Sequence, residues 1–302
     1  MTARHDGRVS ATSSSLRAVW LVLIGIVSVQ VGAAVAKSIF DEIPPTALVW
    51  LRLLTSAVVM ALVARPVLRG RTLAHWRVAI GFGVSLAVMN WAIYQSFARI
   101  PLGIAVTIEF VGPLAVALLG SRRVRDLVWA LVAGLGVVLL GLERADLDWV
   151  GVAYALLAGA AWAAYILMSA ETGRRWPGFD GLAVASVVAA ALLLVPAVVS
   201  GGEQLLDGRI LLIGLCVGLL SSVVPYSCEL VALRTLPAAT FGILMSLEPA
   251  AAALAAIALL GEHLSGVQWL AVACVVVASV GATYATGPGG RAGDRLTEPM
   301  PD

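Results

Sequence analysis

The sequence predicts an all-α integral membrane protein in which ten transmembrane helices form two inverted five-helix repeats around a central cavity. The first observation is composition, because 60% of the 302 residues are hydrophobic and only 13% are charged, against roughly 25% charged residues in an ordinary soluble domain. The second is a series of ten apolar segments, each near the length of about 20 residues that a helix needs to cross a bilayer. The third is an internal duplication of the chain.

Five apolar segments joined by short loops make up the first half of the chain. They cover residues 19–36, 46–63, 78–97, 102–119 and 127–142. Continuous runs rich in alanine and leucine do not alternate between polar and apolar residues, as the strands of a membrane barrel must. Each segment is therefore predicted to be a helix, and the fifth is the shortest.

The first segment also has features of a cleavable signal peptide. It follows a basic start and ends in the small residues of positions 34–36, which is typical of a cleavage site. Cleavage would leave nine spans and would remove the first helix of one repeat. We therefore interpret the segment as a transmembrane helix.

The second half supplies five further segments, and recurring residues indicate that it repeats the first half. The segments cover residues 151–169, 181–199, 210–230, 238–260 and 267–283. The recurring residues are Pro101 and Pro113, which return 136 positions later as Pro237 and Pro249, and Trp129 and Gly141, which return 140 positions later as Trp269 and Gly281. Because each copy has an odd number of spans, the second enters the bilayer from the opposite side, as in the inverted repeats of secondary transporters.

The distribution of basic residues predicts how the chain is oriented. With the N-terminus in the cytoplasm, fifteen of the twenty basic residues lie in inner segments and three lie in outer loops. This bias follows the positive-inside rule, so both termini are predicted to be cytoplasmic. The predicted divisions are a tail at 1–17, a first repeat at 18–144, a second repeat at 145–284 and a tail at 285–302, with both tails disordered.

Several stretches of sequence resemble a known family of transporters. They are SVQVGAAVAKSIF from Ser28, ALVWLRL from Ala47, GVSLAVMN from Gly83, PLGIAVTIEFVGPLAVALLGSRR from Pro101, VPYSCELVAL from Val224 and FGILMSLEPA from Phe241. In these stretches the chain resembles EamA-type members of the drug/metabolite transporter superfamily, and among them the bacterial exporters of threonine and homoserine. The resemblance implies a protein of the bacterial inner membrane that exports a neutral amino acid.

Ionisable residues in or beside the predicted spans identify candidates for a substrate site: Lys37, Arg52, Glu109, Glu229 and Glu248. A charge at the centre of a bilayer costs roughly 2.5–3.5 kcal/mol on insertion scales, so such residues usually face a cavity. At about 1.5 Å per residue, Glu109 and Glu248 lie roughly 12 and 16 Å from the starts of their spans, near the midplane.

Arg52, Glu109 and Glu248 match the two charges of an amino acid. The planar guanidinium of Arg52 suits a carboxylate, and Glu109 or Glu248 can accept hydrogen bonds from an ammonium group. Arg52 could instead turn outward and pair with an acid of an outer loop. The same alternative applies to Lys37, which is also assigned to the substrate site.

Four further residues are assigned to the substrate site, each with a structural alternative. Glu229 lies five residues before Arg234, so it could form an ion pair at the helix end instead of contacting the ligand. Gln30, Asn90 and Tyr94 add hydrogen-bonding groups, and any of them could instead tie neighbouring helices together.

The balance of charges suggests a driving force for transport. Two cations against three carboxylates leave one acid unbalanced, and a buried carboxylate without a cation tends to bind a proton. We therefore expect Glu109 or Glu248 to exchange a proton for substrate, which gives proton antiport. Uncoupled, facilitated efflux is the competing mechanism.

Three prolines inside the spans are candidate hinges: Pro113, Pro225 and Pro249. Proline removes a backbone hydrogen bond from a helix and favours a kink. Bending at these points could provide alternating access, or the kinks could be fixed and only shape the bundle.

Other classes of function are disfavoured. The sequence has no glycine-rich phosphate loop and no metal-spaced His or Cys cluster, so we expect neither an enzyme nor a cofactor or metal site. The predicted partners are a small amino acid, the lipid bilayer and, under antiport, protons, with no nucleic acid. Export of other metabolites or of cationic and aromatic drugs on the same fold is the alternative, and the oligomeric state is left open.

Overall fold

The computed structural model describes residues 6–119, 127–142, 148–233, 235–236 and 238–286, and these residues form helices and connecting turns without a strand. The helices of the first half are α1 (Asp6–Lys37), α2 (Pro45–Ala64), α3 (Leu73–Phe97), α4 (Leu102–Glu109), α5 (Val111–Leu119) and α6 (Leu127–Leu142). Those of the second half are α7 (Trp149–Arg175), α8 (Asp180–Gly201), α9 (Gly208–Gly218), α10 (Val224–Leu233), α11 (Ala238–Met245), α12 (Glu248–Ala255) and α13 (Gly266–Thr286).

Each of the ten predicted segments coincides with one or more of these helices. Within the described residues, seven helical stretches are long and apolar enough to cross a membrane: Leu16–Lys37, Pro45–Ala64, Leu73–Phe97, Trp149–Arg175, Asp180–Leu206, Gly208–Glu229 and Thr240–Leu260. Three apolar helical stretches are shorter: Leu102–Val116, Leu127–Leu139 and Gly266–Ala282. The prediction of an all-α, multi-pass membrane protein is confirmed, and ten crossings stay a prediction.

Helix α1 starts before the predicted span does. The helix begins at Asp6, inside the segment 1–17 that was predicted to be a disordered tail. Its apolar part begins only at Leu16, so the polar residues before it extend the helix outside the predicted span. Residues 287–302 lie outside the described part of the chain.

The candidate hinge prolines lie at or close to interruptions of helical regularity. Pro113 follows the break between α4 and α5 at Phe110, and Pro249 follows the turn at 246–247 that separates α11 from α12. Pro225 follows a π-helical turn, Leu219–Val223, between α9 and α10. Because proline lacks the N–H that an α-helix needs, each interruption has a local chemical cause. Hinge motion at these points stays a prediction.

Pairs of helices from the two halves pack against each other to form the bundle. The pairs are α1 with α10, α2 with α8, α3 with α7, α4 with α12 and α6 with α13. Tyr94, Leu48 and Ile104 are fully buried in the main apolar core. Large apolar side chains such as Leu62, Val195 and Val199 are instead exposed on the outside of the bundle, as expected of a surface that faces lipid.

Candidate functional site

A cavity of about 390 Å³ lies between the helices of the two halves. This volume falls in the range of roughly 300–1,000 Å³ that is typical of small-molecule sites. Residues from both halves line it, and they include six of the eight predicted binding residues: Gln30, Arg52, Asn90, Glu109, Glu229 and Glu248. Of the three candidate hinges, Pro113 and Pro225 also line it, whereas Pro249 is buried beside it.

Arg52 is held against the π-helical turn of the second half. Its Nη2 donates a hydrogen bond to the Ser221 carbonyl at 3.1 Å, and its Nε lies 3.5 Å from Ser222 Oγ. The guanidinium also lies 5.6 Å from the centre of the Tyr94 ring. Arg52 forms no ion pair within the described residues, so the alternative in which it turns outward to a loop acid does not apply to this conformation.

Three carboxylates face the cavity without a hydrogen bond or an ion pair to any described residue: Glu109, Glu229 and Glu248. Their electrostatic surroundings differ. Glu109 interacts with the charge of Arg52, whereas the charges that act on Glu248 are those of Glu229 and Glu109. The predicted alternative partner of Glu229, Arg234, lies outside the described residues.

The predicted amides line the cavity and keep acceptor atoms free. Asn90 donates from Nδ2 to the Leu86 carbonyl of its own helix at 2.8 Å, which leaves its oxygen available. Gln30 is buried, and its Oε1 has no hydrogen-bond partner among the described residues. Both amides therefore offer groups that a polar ligand in the cavity could contact.

Two residues predicted to bind substrate lie away from the cavity wall. Tyr94 is fully buried beneath the Arg52 guanidinium. Lys37 donates from Nζ to Glu262 Oε1 at 2.5 Å and to the Ile100 carbonyl at 2.8 Å. α3 directs Tyr94 into the core. The end of α1 places Lys37 beside Glu262 in the loop before α13, which is the alternative that the sequence left open for Lys37. Substrate contact by these two residues stays a prediction.

Sequence reasoning missed an aromatic wall and one hydroxyl. Trp162 and Phe110 line the cavity and pack edge to face, with ring centres 5.4 Å apart. Tyr165 and Tyr226 extend this wall. The Ser221 hydroxyl is also buried on the cavity wall and has no partner in the described part of the chain. Its position four residues before a proline was the one signal available in the sequence.

Close contact between two glycines fixes the backbone beside Glu109. Gly112 in α5 packs directly on the Gly159 backbone in α7, and a Cβ atom at Gly159 would lie 2.7 Å from the Glu109 carbonyl oxygen. Only residues without a side chain allow this approach. The position of Glu109 in the cavity therefore depends on small residues in a helix of the other half.

Comparison with known proteins identifies the relatives of this fold. Residues 149–284 match the EamA-like transporter family. The chain is 42% identical over 273 residues to the threonine/homoserine exporter RhtA of Salmonella typhimurium (strain SL1344), and 41% identical over 273 residues to RhtA of Escherichia coli (strain K12). Both alignments cover 88% of this chain and 92% of the relative.

The fold also matches a solved crystal structure. The comparison of the two structures gives a TM-score of 0.58 and a sequence identity of 20%. It covers 91% of this chain and 97% of the other. At this level of identity the likeness shows the fold alone.

Proposed function

The chain belongs to the EamA-like transporter family, and we propose that it exports small neutral amino acids such as threonine and homoserine from the bacterial cytoplasm. It is a multi-pass membrane transporter and not an enzyme. The observation that carries the substrate assignment is the 42% identity to a threonine/homoserine exporter over 88% of the chain. The chemistry of the cavity agrees with this assignment.

The substrate carboxylate binds Arg52, and the ammonium group binds the carboxylates across the cavity. Arg52 uses one N–H for the Ser221 carbonyl, and a guanidinium carries five N–H donors in all. Glu109 is the carboxylate that interacts with Arg52, so the two charged groups of one zwitterion can be bound at the same time. The amides of Gln30 and Asn90 are available to the substrate side chain.

The order of helix contacts supports the inverted repeat. If a twofold axis relates the two halves, it exchanges equivalent helices of each repeat. The equivalent pairs are α1 and α7, α2 and α8, α3 and α10, α4 and α12, and α6 and α13. Under this exchange the α1–α10 contact becomes the α7–α3 contact, and the α2–α8, α4–α12 and α6–α13 contacts are unchanged. This is the pattern expected of ten helices related by a twofold axis in the membrane plane. Both termini then lie in the cytoplasm, as the basic residues predict.

Proton antiport drives the export, with Glu248 as the proton carrier. Glu248 lines the cavity together with the carboxylates of Glu109 and Glu229 and forms no ion pair with a described residue, and a buried carboxylate without a cation tends to bind a proton. Glu109 interacts with Arg52 and stays with the substrate. Pro113 and Pro249 serve as hinges beside the cavity, so bending there exposes it to each side in turn.

Transport assays in proteoliposomes test this function. Purified protein is expected to move labelled threonine and homoserine, and an imposed pH gradient is expected to accelerate the flux. Flux that is unaffected by the gradient would support facilitated efflux instead. The Arg52→Gln variant serves as the site control, because it removes the carboxylate-binding group, and its Tm in detergent shows whether the fold is kept.

The aromatic wall favours a second candidate function, the export of cationic aromatic compounds. Trp162 and Phe110 supply ring faces and edges next to the carboxylates, and aromatic rings attract cations. Arg52 in the same cavity disfavours a substrate that carries only positive charge. Efflux of a lipophilic cation, measured beside threonine efflux in the same cells, separates the two functions.

A further inference from the structure

We propose that Pro225 is a positioning residue for Arg52, because it frees the Ser221 carbonyl that holds the guanidinium at the cavity wall. The inference deepens the proposed function and depends on it, since it assigns Arg52 to the substrate carboxylate. It predicts that Pro225, whose side chain is apolar, affects how well the site distinguishes substrates with a carboxylate from substrates without one.

The argument begins with backbone hydrogen bonds. In an α-helix the N–H of residue 225 would donate to the carbonyl of Ser221, and in a π-helical turn it would donate to the carbonyl of Leu220. Proline has no N–H, so the backbone donor that would satisfy either oxygen is absent. The π-helical turn at Leu219–Val223 ends just before this position, and such turns are frequent at functional sites.

Side chains from two other helices use the freed carbonyls. Arg52 in α2 donates to the Ser221 oxygen at 3.1 Å, and Ser28 in α1 donates to the Leu220 oxygen at 2.7 Å. Both acceptors are thus satisfied by partners distant in the sequence. The missing N–H at Pro225 is therefore what allows the π-helical turn before α10 to anchor Arg52.

Anchoring matters because an arginine side chain has many rotamers. Ser221 and Ser222 contact one edge of the guanidinium, and the ring of Tyr94 lies 5.6 Å from it. The side chain lines the cavity, so its remaining donors are available to a ligand. A group held in place before binding loses less conformational entropy on binding, and its affinity for a carboxylate is correspondingly higher.

The test replaces Pro225 by alanine, which restores the N–H. For Pro225→Ala in proteoliposomes, we expect the KM for threonine to rise about tenfold, as for the loss of one charge-assisted hydrogen bond, with the maximal rate nearly unchanged. The KM for threonine amide, which lacks the carboxylate, should stay the same. In an Arg52→Lys background the proline substitution should have no further effect on KM.

A matched control is Pro196→Ala, which changes a proline inside α8 that does not line the cavity. It should leave both KM values unchanged.

Two results for Pro225→Ala would overturn the inference: an equal change in KM for threonine and for its amide, or a loss of maximal rate alone. A purely structural or hinge role acts on both substrates. If Pro225→Ala does not fold, Ser222→Ala tests the same turn, and unchanged discrimination there would also overturn it. Absence of threonine transport by the wild type would instead refute the proposed function.

Discussion

Lys37 Nζ lies 2.5 Å from Glu262 Oε1, and this ion pair connects the end of α1 to the loop before α13. Glu262 also accepts a hydrogen bond from the Leu102 amide at 2.9 Å, at the start of α4. Lys37 completes the group by donating to the Ile100 carbonyl. The side chains are only 19% and 18% exposed, so neither charge could be fully hydrated if its partner were removed.

Neutralising Lys37 alone is expected to destabilise the protein. Lys37→Met leaves the Glu262 carboxylate without its cation, at a cost between the about 1 kcal/mol of surface pairs and the about 3–5 kcal/mol of buried ones. The Tm of detergent-purified protein should fall accordingly. The double variant Lys37→Met/Glu262→Gln should recover much of the loss, because no unpaired charge remains.

The exposed pair of Arg174 and Glu171 provides the control for this measurement. Arg174→Met should change the Tm very little, since a surface pair contributes at most about 1 kcal/mol. A double Lys37→Met/Glu262→Gln variant less stable than Lys37→Met would contradict the argument.

Arg52→Lys is expected to raise the KM for threonine by about tenfold or more. Lysine keeps the charge but loses the planar fork that can bind a carboxylate through two hydrogen bonds. Initial rates over a range of threonine concentrations give the comparison. Arg209→Lys, at an exposed ion pair with Glu42, is the control and should transport like the wild type. An unchanged KM for Arg52→Lys would exclude bidentate binding.

The cavity residues could be predicted from sequence because exposing any of their polar side chains to lipid has a high free-energy cost. A carboxylate, guanidinium or amide inside an apolar run needs a polar surrounding, which selected Glu109, Glu248, Arg52 and Asn90. The same reasoning allowed Lys37 to pair with an acid of an outer loop but could not identify which acid. Lys37 lies at a helix end, where its partner Glu262 comes from a distant loop, and sequence spacing does not show which loop lies nearest.

The sequence likewise could not show that Tyr94 is buried beneath Arg52 instead of lining the cavity. Helical spacing puts it on the same face as Asn90, four residues earlier, yet it is fully buried whereas Asn90 lines the cavity. The difference depends on how α2 packs on α3 and where the Arg52 side chain lies. The helical period of one segment can be read from its sequence. The relative orientation of two helices depends on packing between segments that are distant in the sequence.

Glu248→Gln is expected to separate transport from proton coupling. Glutamine imitates the neutral carboxyl group, so the variant should still exchange threonine across the membrane in proteoliposomes. Its flux should no longer respond to an imposed pH gradient, because no proton can be bound or released at this position. Exchange of labelled for unlabelled threonine and gradient-driven uptake are measured on the same preparation.

Glu109→Gln is the matched comparison for this experiment. Because Glu109 interacts with Arg52 and is assigned to the substrate ammonium, its loss should raise the KM in both assays and leave the response to the gradient in place. A Glu248→Gln protein that is still driven by the pH gradient would rule out Glu248 as the proton carrier.

Gly159→Ala is expected to displace Glu109 and impair transport. The new Cβ atom would lie 2.7 Å from the Glu109 carbonyl oxygen, so α7 and the end of α4 must move apart. Overpacking of this kind typically costs about 1–3 kcal/mol, which should lower the Tm and raise the KM for threonine together. Gly173→Ala, on the same helix with no atom of the described residues within 4 Å of its Cβ position, should change neither quantity. Equal behaviour of the two variants would show that the contact between Gly159 and Glu109 does not hold the site in place.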